Sequence, residues 1–346
     1  MTEEQFRAVL TGLAADFGAW SRADVATVSK AAGWTLTGDG IDIPGIGRPA
    51  WIAENSIPGR SGAPEMEAVG IRITQADPEE FHEYLDTAID VWGEPSWFGG
   101  CRNVFVRWRD AATFRELSLD RNGALSVRAG STPAFEAWYE RAWELEDDLN
   151  EVPFTWMADM DGPGMDDFTY GEKVLSQWDD VTDTLADTLL DVHLAMRALG
   201  TEDDDSVAGP DRLVITLQGN PDAYRGPDDQ DDPDDEDWTT VDPELKVQIA
   251  LYPDSVTLAV SEHPEWRAEL KAKAFNPGQD GVQVRQLPDD RASLIEVAEL
   301  TVHFLRRFGF ASPEHVAHDS WRFPSPFDFF TLTSVGFFET EAPEED

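Results

Sequence analysis

The stretch from residue 92 to residue 128 constrains the fold more tightly than any other, because strand and turn signals follow one another within it. Val104, Val106 and Trp108 occupy alternate positions, a period of two that is typical of a half-buried strand. The pair Asn122-Gly123 then indicates a turn between two more strands. The sequence therefore predicts antiparallel strands joined by hairpins in this region.

The register of the hairpin around Asn122-Gly123 depends on the length of its loop. A two-residue loop sets Leu119 opposite Ser126, which places an apolar side chain against a polar one. A three-residue loop, with Gly123 in the left-handed region, restores apolar pairing and also sets opposite charges face to face. We predict the three-residue loop and the pairs Leu119–Leu125, Leu117–Val127 and Glu116–Arg128.

The second half of the chain repeats this plan. An apolar stripe over residues 174–199 predicts a long helix ending at Gly200, and a second stripe over residues 294–308 predicts a helix ending at Gly309. Alternating residues predict three strands between them, with Leu251 opposite Val256 across a turn that contains Pro253. We predict an α+β fold of two similar domains, each an antiparallel sheet with helices packed on one face.

The expected domain boundary is the segment rich in Pro and Gly that follows the first half. At 346 residues the chain can form two domains of ordinary size. We place the N-terminal domain at 1–152, a linker at 153–170 and the C-terminal domain at 171–346.

Acidic residues dominate the composition. The chain has 69 Asp and Glu residues against 26 Lys and Arg, a formal charge of −43, and only five of the basic residues are lysine. Such a charge opposes direct binding to nucleic acid or to an anionic membrane and favours basic partners. An alternative is that the acidity reflects the composition of a high-GC or halophilic host and simply solvates the surface.

The acid is densest between residues 226 and 244, in the sequence GPDDQDDPDDEDWTTVDPE. Nine aspartates and glutamates precede Glu244, and the segment has no basic residue. Proline and dense like charge disfavour both helix and strand, so a solvated acidic loop is predicted here.

A single cysteine, Cys101, excludes an intramolecular disulfide and a cysteine zinc site. The acidic, amphipathic N-terminus differs from a signal peptide, and no apolar run is long enough to span a membrane. We therefore expect a cytoplasmic protein without a cofactor.

No catalytic motif occurs in the sequence, and candidate metal ligands are few. His315 and His318, with Asp319 beside the second, could present ligands to zinc from one helical turn, but a third ligand at a defined spacing is missing. Asp203–Asp205 and the acidic segment do not match a calcium-binding loop. Cys101 has only Arg102 beside it as a potential activating group. We therefore predict no metal site and no catalytic residues, and regard a hydrolase with an unrecognised carboxylate site as an alternative.

Two resemblances to known groups bear on the function. The order WGEPSWFGG, VRWR and ELSL, within roughly residues 77–140, is similar to an uncharacterised family of acidic actinobacterial proteins. Members of that family look like immunity or accessory proteins. The order of elements in both halves resembles the chaperone-like α/β domains of type III secretion, which are acidic and bind other proteins.

The sequence thus predicts a non-catalytic binding protein, of immunity, antitoxin or chaperone type, for a basic partner such as a toxin or a nucleic-acid-binding protein. The acidic loop is expected to steer the partner and exposed aromatic rings to anchor it. A regulator that mimics DNA is an alternative. The predicted binding residues are Asp228, Asp229, Asp231, Asp232, Asp234, Asp235, Glu236, Asp237, Trp238, Trp97 and Phe98.

Overall fold

The computed structural model describes residues 1–37, 40–46, 51–53, 68–100, 103–136, 156–159, 177–199, 212–219, 245–279, 281–322, 330–331 and 338–339. The helices are α1 (Glu3–Leu13), α2 (Arg22–Ala31), α3 (Pro78–Trp92), α4 (described over 132–136), α5 (Trp178–Leu199), α6 (Arg267–Ala272) and α7 (Arg291–Phe308). The strands are β1 (Thr35–Leu36), β2 (Ile41–Asp42), β3 (Trp51–Ala53), β4 (Ala68–Gln75), β5 (Trp97–Gly100), β6 (Asn103–Arg109), β7 (Thr113–Asp120), β8 (Ala124–Ser131), β9 (Trp156–Asp159), β10 (Leu213–Gly219), β11 (Val247–Tyr252), β12 (Ser255–Ser261), β13 (Asn276–Pro277), β14 (Val282–Pro288), β15 (Val316–Arg322), β16 (Phe330–Thr331) and β17 (Phe338–Glu339).

The strands form two large sheets and a short ribbon of β1 and β2. The first sheet has the order β16-β9-β5-β6-β7-β8-β4-β3, and the second has the order β13-β14-β12-β11-β10-β15-β17. Neighbouring strands are antiparallel except for β15 and β17, which are parallel. The predicted α+β fold with antiparallel sheets is confirmed.

The predicted hairpin registers are also confirmed. Leu119 lies opposite Leu125, and Glu116 lies opposite Arg128, as the three-residue loop requires. Gly123 closes this loop with a φ of +80°, a conformation that side chains other than glycine rarely adopt. In the second sheet Leu251 lies opposite Val256.

Five central strands have the same arrangement in the two sheets, although the chain enters them at different points. The order β5-β6-β7-β8-β4 in the first sheet corresponds to β15-β10-β11-β12-β14 in the second. In both sheets a helix, α3 or α7, joins the two outer strands of this set, and three consecutive antiparallel strands lie between them. The first half begins with the strand–helix–strand connection, whereas the second half ends with it.

The helices α3 and α7 begin and end in the same way. Asp77 and Asp290 are the N-cap residues, and each lies two residues after a strand. Each cap leaves its carboxylate at a helix N-terminus, where the helix dipole stabilises negative charge. Gly93 and Gly309 end the two helices with φ angles of +83° and +106°.

The two halves share one hydrophobic core rather than burying separate cores. The cluster of buried apolar side chains continues from the first sheet through α5 to the second sheet. Helix α5 contacts β5 and β6 of the first sheet, β11 of the second, and both α3 and α7. It therefore lies between the two sheets and supplies apolar surface to both.

Two strands of the first sheet lie outside the predicted N-terminal domain, and the domain boundaries themselves stay a prediction. Residues 156–159, assigned to the linker at 153–170, form β9 and pair with β5 of the first sheet. Residues 330–331, assigned to the C-terminal domain, form β16 and pair with β9. The chain thus returns to the first sheet after building the second, a long-range pairing that no local sequence signal specifies.

Among the helices that the structure describes, none combines the length and the apolar character needed to cross a lipid bilayer.

Candidate functional site

The predicted acidic loop lies outside the described residues, but both of its attachment points are described. It joins the end of β10 at Gly219 to the start of β11 at Val247, two adjacent strands in the middle of the second sheet. The connection contains 27 residues, 220 to 246. The corresponding connection in the first sheet, between β6 and β7, contains three residues, 110 to 112. The fold therefore does not require so long a connection at this place.

The base of this loop rests on well-packed residues. Gly219 pairs with Val316 of β15, and a Cβ placed on Gly219 lies 3.5 Å from the ring of Phe310. On the other side, the amide of Lys246 donates a hydrogen bond to Ser261 Oγ at 2.9 Å. The attachment points are therefore held in place by the sheet and by the chain segment that follows α7.

Trp97 and Phe98 do not form the exposed anchor that the sequence predicted. Both residues belong to β5, and neither side chain has any exposed surface. They also lie in the first sheet, whereas the acidic loop joins two strands of the second. The prediction that these rings are exposed is wrong, because Gly99 and Gly100 continue a strand instead of making a turn.

Trp97 takes part in a buried aromatic cluster on the face of the first sheet that points away from α5. The Arg107 guanidinium lies 5.2 Å from the Trp97 ring, 4.3 Å from the Phe105 ring and 4.5 Å from the Phe135 ring. A cation over an aromatic face is favourable, and more so when it is removed from water. This ring therefore stabilises the protein's own arginine.

Glu116 neutralises two arginines within this cluster. It accepts hydrogen bonds from Arg107 Nε at 2.9 Å and from Arg128 Nη2 at 2.8 Å, and only 3% of its side chain is exposed. Burial alone raises the pKa of Glu116, but the charges of Arg128 and Arg107 outweigh it and hold this pKa at about 2. Glu116 is therefore ionised at neutral pH and cannot serve as a general acid.

The sequence contained a partial signal for this network. The register argument placed Glu116 opposite Arg128, and the period of β6 puts Arg107 on the other side of Glu116. The burial of Arg107 and Glu116 was not predictable, because it depends on residues such as Phe135 that cover this face from elsewhere in the chain.

Other arginines are also paired with acids of the same chain. A second buried pair joins the two halves, since Arg121 in the turn of the first hairpin contacts Asp187 and Asp191 of α5. The arginines of the described part that form ion pairs with Asp or Glu are Arg7, Arg72, Arg107, Arg109, Arg115, Arg121, Arg128, Arg197, Arg267, Arg285 and Arg307. These cations are therefore paired within the chain.

The zinc hypothesis for His315 and His318 is not supported by the local structure. His315 ends a short 3-10 turn, whereas His318 lies in β15, so the two do not share a helical turn. Within the described ranges, no three His, Cys, Asp or Glu residues are grouped as a metal site requires. Cys101, Asp203–Asp205 and Trp238 lie outside those ranges.

Comparison of the chain with models of protein families, with curated proteins and with solved structures finds no match. The two resemblances drawn from the sequence stay predictions, and the functional argument depends on this chain's own residues.

Proposed function

We propose that this chain is a non-catalytic acidic binding protein that holds or neutralises a basic protein partner, in the manner of an immunity, antitoxin or chaperone-like protein. One observation carries the proposal. A connection of three residues in the first sheet is replaced by 27 residues in the second, and the added sequence includes nine acids before Glu244 and no base between 226 and 244. An insertion that the fold does not need, with charge of one sign, is suited to attract a partner of the opposite sign.

The distribution of cations supports the proposal. Eleven arginines of the described part form ion pairs with acids of the same chain, and the chain as a whole still carries a net charge of −43. A field of this kind accelerates the encounter with a basic protein and is screened within about 8 Å at physiological salt. Binding by this mechanism is rapid and sensitive to salt.

The alternative of a hydrolase finds less support among the described carboxylates. A general acid needs a raised pKa, so that it keeps its proton near neutral pH. The pKa is lowered for five described carboxylates, by hydrogen bonds for Asp24, Glu79, Glu262 and Asp290 and, despite burial, by the charges of Arg128 and Arg107 for Glu116.

A matched pair of variants tests the proposal. The loop variant changes Asp228, Asp229, Asp231, Asp232, Asp234, Asp235 and Asp237 to Asn and Glu236 to Gln. The control variant changes Glu202, Asp203, Asp204, Asp205, Glu341, Glu344, Glu345 and Asp346 to the corresponding amides. Both variants lose eight negative charges, so they have the same net charge and differ only in where the charge is removed.

The immobilised proteins are presented with the basic fraction of an extract from the native host, at low and at high salt. We expect the wild type and the control variant to retain the same basic protein at low salt, and the loop variant to retain much less. Equal retention by both variants would refute a steering role of the loop, and no retention by the wild type at any salt would refute the binding function. Displacement of the retained protein by duplex DNA identifies it as a DNA-binding protein and favours the DNA-mimic alternative.

A further inference from the structure

The outer face of the second sheet carries no charged side chain across β10, β11, β12 and β14. Two rows of residues run across these strands in register. The first row is Thr216, Gln248, Ala259 and Val284, and the second is Val214, Ala250, Thr257 and Gln286. Tyr252 and Ser255 continue the face at the hairpin end. The remaining positions with the same orientation, Gln218, Ser261 and Val282, are uncharged as well.

An uncharged face is unexpected on this protein, in which 27% of residues are charged. If acid were spread over the surface only for solvation, the outward positions of these strands would share in it. The corresponding face of the first sheet differs, because it carries the Arg107–Glu116–Arg128 network and is covered.

Most of this face is partly exposed, although Val214 and Ser261 are buried. In β11 the burial alternates strictly, with Val247, Ile249 and Leu251 buried and the residues between them partly exposed. Small side chains, Ala250 and Ala259, lie in the two middle strands. Gln248 donates a hydrogen bond to Thr216 Oγ1 at 3.1 Å, which satisfies part of the polar surface within the face itself. The side chains are therefore already ordered, so a partner that docks here loses little conformational entropy.

Charged residues lie at the rim of this face. The acidic loop leaves from the end of β10 and re-enters at the start of β11, so its two ends border the face. The next strand places Asp319 at the register position opposite Thr216. Lys246 at the loop end and Arg212, which lies 6.0 Å from the Tyr252 ring at the hairpin end, are the basic residues that flank the four strands. An uncharged centre with a charged rim is the usual anatomy of a protein–protein interface.

We infer that the outer face of the second sheet is the docking surface for a basic protein, which the net charge of −43 attracts and whose uncharged centre packs on the two rows. This inference rests on the proposed function and names the surface that performs it. Tyr252 is the aromatic residue on this face and is suited to anchor the contact.

The size of the face agrees with a protein partner. Four strands spaced by about 4.8 Å and seven residues rising about 3.3 Å each give an area of about 440 Å². A standard interface takes about 800 Å² from each partner, so the face by itself supplies about half of that area. A second copy of this chain is a poor occupant, because two molecules with a charge of −43 each repel one another.

The experiment places a positive charge in the middle of the face and a matched one away from it. Ala259→Arg and Ala250→Arg alter outward positions of the two middle strands. Ala268→Arg alters an exposed position of α6, whose Glu269 contacts His303 of α7 on the opposite side of the sheet. Each variant is immobilised and presented with the basic fraction of the host extract, its unfolding midpoint is measured, and its mass in solution is determined by sedimentation.

We expect Ala259→Arg and Ala250→Arg to weaken retention of the basic protein at least about tenfold, because a charged side chain is then buried against the uncharged centre of the partner. Ala268→Arg should leave retention unchanged. Equal retention by all three variants would overturn the docking surface and leave the proposed function standing, whereas no retention by the wild type would overturn both. A dimer of the wild type that Ala259→Arg dissociates would assign the face to a second copy. If Ala259→Arg is the only variant with a lower unfolding midpoint, residues of this same chain pack on the face, and the docking surface is overturned.

Discussion

Replacement of Glu116 by glutamine tests whether the buried network of the first sheet stabilises the fold. The carboxylate lies between Arg107 and Arg128, and only 3% of its side chain is exposed. The change keeps the shape of the side chain but removes the negative charge that both Arg107, 3% exposed, and Arg128, 35% exposed, contact. Breaking a buried ion pair in this way costs about 3–5 kcal/mol.

The pKa gives an independent measure of the same interaction. A value of about 2 for Glu116, against an ordinary 4.5, corresponds to about 3 kcal/mol in favour of the ionised form, since a tenfold change in the proton equilibrium is worth about 1.4 kcal/mol. Because the folded pKa is the lower one, this stabilisation is complete above the unfolded pKa and is lost as the pH falls from about 5 toward 2. The deficit of Glu116→Gln should therefore be largest at neutral pH and shrink in acid.

Urea unfolding followed by tryptophan fluorescence, from pH 7 downward, measures both effects. Glu136→Gln is the matched control, because Glu136 pairs with Arg109 but has 29% of its side chain exposed, and its loss should cost no more than about 1 kcal/mol. Arg107→Met combined with Glu116→Gln should recover part of the loss, since the buried cation that faced Glu116 is then removed as well. Equal deficits for Glu116→Gln and Glu136→Gln, or a deficit that does not change with pH, would refute this reasoning.

Two further predictions concern the hairpin turn and the contact between the halves. Gly123→Ala should lower the urea midpoint more than Gly33→Ala. Both glycines have a positive φ, of +80° and +77° respectively. A Cβ on Gly123 lies 2.8 Å from a backbone oxygen, whereas a Cβ on Gly33 meets nothing within 4 Å. Similar midpoints for the two variants would contradict the close approach. Asp191→Asn should increase hydrogen exchange in α5 and in the first hairpin more than Asp187→Asn does. Both carboxylates pair with Arg121, but the side chain of Asp191 is 0% exposed whereas that of Asp187 is 32% exposed, so the loss of the buried charge costs more. Equal protection in the two variants would show that the buried contact does not hold the halves together.

Local rules account for the parts of the fold that the sequence predicted correctly. The three-residue hairpin loop follows from side-chain pairing over a dozen residues and from one glycine that accepts a positive φ. The end of α7 at Gly309 is likewise set by neighbouring residues. These features need only short-range interactions, so their signals are visible in the sequence.

The acidic loop was identified by composition, but its place in the molecule was not fully evident until the sheet was known. The sequence placed it between two strands of the second half. The structure shows that these strands are adjacent in the middle of a sheet and that their counterparts in the first sheet are joined by three residues. The uncharged face could have been read from alternate positions of the same strands, because a period of two already separates it from the core.

The sequence by itself thus determined the registers, the helix ends and the acidic insertion, because each depends on residues that are close along the chain. Only the tertiary structure decided that Trp97 is buried, that β9 and β16 complete the first sheet, and that α5 serves both sheets. These outcomes depend on which distant segments cover a given face. Burial is the sum of contacts from the whole chain, so the same aromatic residue is an anchor for a partner in one environment and a part of the core in another.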